Sequence, residues 1–266
     1  MFFLLGAIVG DIVGSIYEFH PIKTTEFPFF RRGCRITDDT VMTVAVAEGL
    51  MNAIGCSQSE EREDLVRSMQ YWGRKYPTAG YGSHFSAWLE ETNPRPYHSW
   101  GNGAAMRVSA AGWLYPSIEE TARHAGITAA VSHDHPEGIK GARATATAIF
   151  MLRNGKHPVE VKTFIGNTYD YDLSPTLAEI RPEYTFDVSS QGTMPAAFLS
   201  FFESTDFEST IRNAVSLGGD SDTIAAIAGS LAEAYYGIPE EIKATALSYL
   251  DDEMMRIYEK FTEMRY

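Results

Sequence analysis

The chain has 266 residues, room for one large domain or two small ones with a sizeable core. Hydrophobic residues make up 44%, a globular composition and not a disordered one. A formal net charge of −13 repels phosphate backbones and anionic lipid, which argues against nucleic acid or a membrane surface as a general partner.

From the N-terminus, residues 1–9 are apolar but lack a basic leader, are too short to cross a bilayer and run straight into Gly10-Asp11. They predict the start of a buried helix and not a signal peptide, and no other segment reaches membrane length. Gly6, Gly10 and Gly14 recur every fourth residue, on one helix face, where a neighbouring helix could approach closely. A dinucleotide-binding reading fails, because no GxGxxG follows a strand. Glu18 ends this apolar face; it reads either as a solvated helix end or as a carboxylate carried inward. Cys34 and Cys56 form no CxxC pair or zinc-like cluster and read as two reduced thiols of a cytoplasmic protein.

Thr37-Asp38-Asp39-Thr40 directly precedes the apolar run 41–50, in which Met42, Ala45, Val46, Gly49 and Leu50 keep helical spacing. Leu65, Met69 and Trp72 mark a further helix face. Gly101-Asn102-Gly103-Ala104-Ala105-Met106-Arg107 is a small-residue loop opening a helix. It is either an ordinary Asn-Gly turn or a set of backbone N–H groups that can cradle a phosphate. Ser132-His133-Asp134-His135-Pro136 interrupts two helices. Its histidines do not have the i, i+4 spacing of zinc hydrolases, and a polar cap before a first-turn proline accounts for Asp134 to Pro136. His133 is left without a structural task. Residues 184–188 are the best strand candidate in a chain with almost no strand pattern. Pro94, Pro96, Pro136, Pro158, Pro182, Pro195 and Pro239 mark helix breaks.

Ile211, Ala214, Val215 and Gly218 form another helical face, followed by Gly218-Gly219-Asp220-Ser221-Asp222-Thr223. The run 224–236 is apolar nearly all round and rich in Ala and Gly, as a helix in the middle of a bundle should be. The expectation is one all-α domain over residues 1–266, of roughly a dozen helices given typical helix lengths.

The two acidic segments carry the chemistry. Each places Thr and two Asp before a buried-looking helix, where capping alone would explain one acceptor apiece. Each supplies two carboxylates, and neither contains Lys or Arg. If the two helix ends meet, four carboxylates converge and require cations. Oxygen-only ligands select hard ions, Mg²⁺ or Mn²⁺, over zinc.

The order G-D-x-x-G-S-x-Y-E, T-D-D-T, G-N-G-x-x-M-R, S-H, G-G-D-S-D-T resembles the ADP-ribosylglycohydrolases, over a span from Gly6 to about Gly237. The resemblance implies a compact all-α fold with two divalent cations, held by Thr37, Asp38 and Asp39 on one side and by Asp220, Asp222 and Thr223 on the other, with Asp222 bridging. It implies catalytic roles for Glu18 and Asp222, a diphosphate against Gly101, Asn102, Gly103 and Ala104, and His133 in an ADP-ribose pocket. Its substrate would be an ADP-ribosylated protein or a small-molecule ADP-ribose conjugate, cleaved at the glycosidic bond. The final Thr of G-D-S-D-T is closer to the serine- and poly-ADP-ribose-cleaving branch, and the acceptor stays open. Two other readings of the same metals are phosphoester or diphosphate hydrolysis, and ADP-ribose binding without turnover.

Overall fold

The glycine stripe sets the centre of the molecule. In the computed structural model, which describes residues 3–264, helix α1 (Leu5–Gly14) lies antiparallel against α13 (Ser221–Tyr236). A Cβ at Gly10 would sit 2.1 Å from the Ala225 carbonyl oxygen, and one at Gly14 would sit 2.5 Å from the Asp222 Cα. The two backbones therefore touch, and only hydrogen can fill the space between them. Every residue of α13 from Ser221 to Glu233 is buried, as the all-round apolar run 224–236 predicts. The Glu233 carboxylate accepts a hydrogen bond of 2.8 Å from the Gly6 amide and so caps the start of α1; burial pushes its carboxyl up to about 8.

Fifteen helices are present among the described residues, more than the dozen expected, because α4 to α6 and α10 are short. Around the central pair pack α2 (Asp38–Asn52), α5 (Gly103–Met106), α8 (Pro136–Arg153), α11 (Ser190–Phe202) and α12 (Phe207–Ser216). Helix α3 (Gln58–Lys75) covers α2 with the face of Leu65, Met69 and Trp72, all buried. The remaining helices are α4 (Ser83–Glu90), α6 (Ser109–Leu114), α7 (Ile118–Ala130), α9 (Pro158–Tyr169), α10 (Leu177–Ile180), α14 (Glu240–Leu247) and α15 (Asp252–Glu263). Pro136 and Pro158 occupy first-turn positions behind His135 and His157, whose rings accept from the Glu137 and Val159 amides. The buried-helix reading of the N-terminus holds from Leu5 onward; Met1 and Phe2 lie outside the described residues.

Three expectations are corrected. Residues 184–188 form no strand: among the described residues the sole pairing of this kind is an isolated bridge between Gly101 and Ser189, because the partner segment is a turn and not a strand. Pro195 breaks nothing: α11 runs through it from Ser190 to Phe202, at the cost of the one N–H that proline cannot donate. Gly218 is not the last residue of a helical face. Helix α12 stops at Ser216, and Gly218 and Gly219 take φ of 69° and 71°, a left-handed pair that turns the chain into Asp220.

Candidate active site

The antiparallel docking of α1 and α13 carries Asp11 and the segment after Gly14 to the N-terminus of α13. Asp11 is fully buried in an otherwise apolar helix, and its carboxylate is saturated by the start of α2. It accepts from the Thr37 amide at 2.9 Å, the Thr37 hydroxyl at 2.6 Å and the Thr40 amide at 3.0 Å, and also from the Thr40 hydroxyl. Asp11 thus fixes how α2 presents Asp38 and Asp39. Sequence reasoning missed it; the signal was a lone carboxylate inside a glycine-striped apolar helix, with its partners out of local range.

Capping does not use up the acidic residues. At α2 the cap is Thr37, whose hydroxyl accepts from the Asp39 amide at 3.4 Å. At α13 the N-cap is Asp220, yet its side chain makes no cap hydrogen bond. Asp220 instead accepts from the Asn102 side-chain amide at 2.7 Å, and Thr223 donates to Asp39 at 3.2 Å, joining the two helix starts. Lys23 braces the turn before Asp220 by donating to the carbonyls of Leu217 and Tyr184.

The helix ends therefore meet. Carboxylate oxygens of Asp11, Asp39 and Asp222 lie within 4.8 Å of one another, as do those of Glu18, Asp220 and Asp222. Asp222 belongs to both groups. Burial, then the charge of Asp11, pushes Asp38 up to about 8; burial, then Asp220, pushes Glu18 up to about 7 against the pull of Arg35. Asp39 and Asp222 are held well above the usual carboxylate range, chiefly by burial and next by Asp11 and Asp220 respectively. No Lys, Arg or His among the described residues comes within ion-pair distance of these carboxylates. Asp39 Oδ1 is buried with no hydrogen-bond partner. A carboxylate oxygen so placed is costly unless a cation faces it. The donor set, all oxygen, fits hard divalent ions and does not favour zinc.

These groups form one end of a cavity of about 400 Å³, the size of a small-molecule site. Glu18, Asp38, Asp39, Asp220, Asp222 and Thr223 line it, with Gly101, Asn102, Gly103 and His133 further along. Thr37 and Ala104 are not among the residues that line it. Two amides of the glycine loop are already engaged: Gly101 donates to the Ser99 hydroxyl and Asn102 to the Val188 carbonyl. The Asn102 side chain turns to Asp220 and Thr193. His133 Nε2 faces the loop; a Cβ at Gly103 would lie 3.1 Å from it. Arg107, Tyr97, Phe85 and Phe186, which the sequence did not single out as pocket residues, are also part of the wall.

A family model described as ADP-ribosylglycohydrolase matches residues 3–265. ADP-ribosylhydrolase ARH3 of Xenopus tropicalis is 27% identical, over 94% of this chain and 91% of its own length. ADP-ribosylarginine hydrolase Tri1 of Serratia proteamaculans is 26% identical, over 88% of this chain and 70% of its own. An uncharacterized protein of Archaeoglobus fulgidus is 35% identical, over 77% and 73%. A solved structure titled ADP-ribosylglycohydrolase-related protein complex superposes with a TM-score of 0.64, at 26% identity and 96% coverage of both chains.

Proposed function

The chain belongs to the ADP-ribosylglycohydrolase family, and we propose that it hydrolyses the C1″ glycosidic bond of an ADP-ribosylated protein or small-molecule ADP-ribose conjugate with two divalent cations, Mg²⁺ or Mn²⁺. The observation that carries this reading is Asp222, common to two carboxylate groups that lack any cationic side chain. Thr37, Asp38 and Asp39 would hold cations from α2, and Asp220, Asp222 and Thr223 from α13, with Asp222 shared. Thr37 gives its hydroxyl proton to Asp11, which leaves an oxygen lone pair for a cation. Asn102 orients Asp220. When bound, the cations supply countercharge, ligation of sugar hydroxyls and a water of lowered pKa.

The chain's own groups do the rest. Glu18, held near 7 by its surroundings and by Asp220, is suited to take a proton from the attacking water as the glycosidic bond breaks through an oxocarbenium-like state. Of the loop amides, that of Gly103, which lines the cavity, remains for the diphosphate, with His133 beside it. Two free cysteines fit a reducing cytoplasm, and no helix among the described residues is long and apolar enough to cross a membrane.

The test is turnover on arginine-, serine- and poly-linked ADP-ribose and on O-acetyl-ADP-ribose, with Mg²⁺ or Mn²⁺ added or chelated. Free ADP-ribose that appears only with metal supports the proposal, and the best substrate names the acceptor. AMP plus ribose phosphate would replace it with diphosphate hydrolysis, and tight binding of ADP-ribose with no product from any conjugate would leave a binding module.

A further inference from the structure

His133 is linked through the cavity wall to two buried polar groups, Ser132 and Arg107, to which the proposed reaction gives no role. The Arg107 guanidinium is buried, makes no ion pair among the described residues, and stacks on the Phe85 ring at 5.3 Å. Its Nη2 donates to the Ser132 hydroxyl at 2.8 Å, and that hydroxyl lies 2.9 Å from His133 Nδ1. Ser132 is completely buried. The other ring nitrogen, Nε2, has no hydrogen-bond partner among the described residues and faces Gly101 and Gly103 across the cavity floor.

The donor inventory fixes the direction of every proton in this chain. Arginine only donates, so Ser132 Oγ accepts from it. The hydroxyl has one proton to give, and His133 Nδ1 is the remaining group within reach. Were Nδ1 to donate instead, Ser132 Oγ would accept twice and its buried proton would have no partner, so the satisfied arrangement has Nδ1 accepting and the proton of a neutral imidazole on Nε2. Burial and the charge of Arg107 keep the ring neutral by holding His133 well below its usual value.

We infer that Arg107 and Ser132 are positioning residues that lock His133 as its Nε2–H tautomer, so that the cavity receives a hydrogen-bond donor for an anionic oxygen lying against the Gly101–Gly103 turn. With the opposite tautomer, Nε2 would present a lone pair to that oxygen and repel it. The second half of the inference rests on the ADP-ribose reading; the tautomer does not. Arg107 thus acts at a distance of two hydrogen bonds, by making the serine hydroxyl point one way.

The experiment has two arms. Nitrogen-15 spectra of the wild-type protein, in Mg²⁺ and without substrate, should give His133 an unprotonated Nδ1 and a protonated Nε2 at neutral pH. A protonated Nδ1 overturns the inference whatever the enzyme does. The second arm measures ADP-ribose affinity by calorimetry. Ser132→Ala should weaken it about tenfold or more, the scale of one hydrogen bond to a charged oxygen. His133→Phe should lose a similar factor, and the double variant should lose little more, since both changes remove the same contact. Additive losses, or an unchanged affinity in a Ser132→Ala protein that melts like wild type, sink the relay. If wild type binds no ADP-ribose while His133 shows the expected tautomer, the ligand reading fails and the proton assignment stands.

Discussion

Glu18 sits where two demands meet. In the proposed reaction it would have to stay near the cations to act on water, yet keep a lone pair free. Its carboxyl is about half withdrawn from solvent and raised to about 7, whereas Asp39 and Asp222 are fully enclosed among like charges. Glu18→Gln keeps the size and removes the base. It should retain cations and ADP-ribose while kcat falls about 10²–10⁴-fold. Loss of metal together with turnover would make Glu18 a ligand, and near-normal turnover would remove it from the chemistry. Asp11 is the contrasting case, a carboxylate consumed by Thr37 and Thr40 before any ion arrives. Asp11→Asn turns an NH₂ group toward donors, leaving buried groups unpaired at roughly 1–3 kcal/mol each. Thermal melting should fall in chelator, and cation titration should show weaker binding; unchanged cation affinity would confine Asp11 to packing.

Among the elements, α1 and α13 matter most to the site, because their docking sets how Asp11, Glu18 and Asp222 meet. Gly10→Ala would drive a methyl to 2.1 Å from the Ala225 carbonyl, backbone against backbone with no side chain to yield. Overpacking of this kind costs about 3 kcal/mol, which for a chain of this size lowers the melting point by ~6–12 °C. A variant that melts like wild type would mean the helices can part freely. Much of this element plan was legible. The glycine stripe, the apolar run 224–236, the Thr37 cap and the first-turn prolines are local signals with local causes. The segment 184–188 was not legible, since the alternation Tyr-Thr-Phe-Asp-Val looks like a strand whether or not a second strand exists to pair with it. Asp11 was not legible either, because its partners Thr37 and Thr40 are 26 and 29 residues away. The acidic helix starts announced ligands, but their convergence depends on antiparallel docking, which spacing along a chain does not encode.

At the scale of the whole molecule, the proposed cation site would tie folding to cation binding and both to pH. Glu18 and Asp38 have ordinary values of 4.5 and 3.8 and stand at about 7 and about 8 in the folded protein. Groups raised in this way hold protons more tightly when folded. Their stabilisation is complete below the ordinary values and drains away as pH rises through the folded ones. Metal-free protein should therefore melt lower at pH 8.5 than at pH 6. Cations need the deprotonated carboxylates, so their binding should tighten over the same interval and release protons. Calorimetry in buffers of different ionisation enthalpy would read that release directly. Glu233, raised to about 8 far from the cations at the other end of α1, adds a pH dependence that metal cannot remove. The two contributions separate by design. In chelator, melting should fall between pH 6 and 8.5; saturating Mg²⁺ or Mn²⁺ should abolish most of the fall; Glu233→Gln should abolish the residue left in metal. A flat melting curve in chelator across that interval would show that the carboxylates are not crowded as the geometry requires, and the case for two cations would go with it.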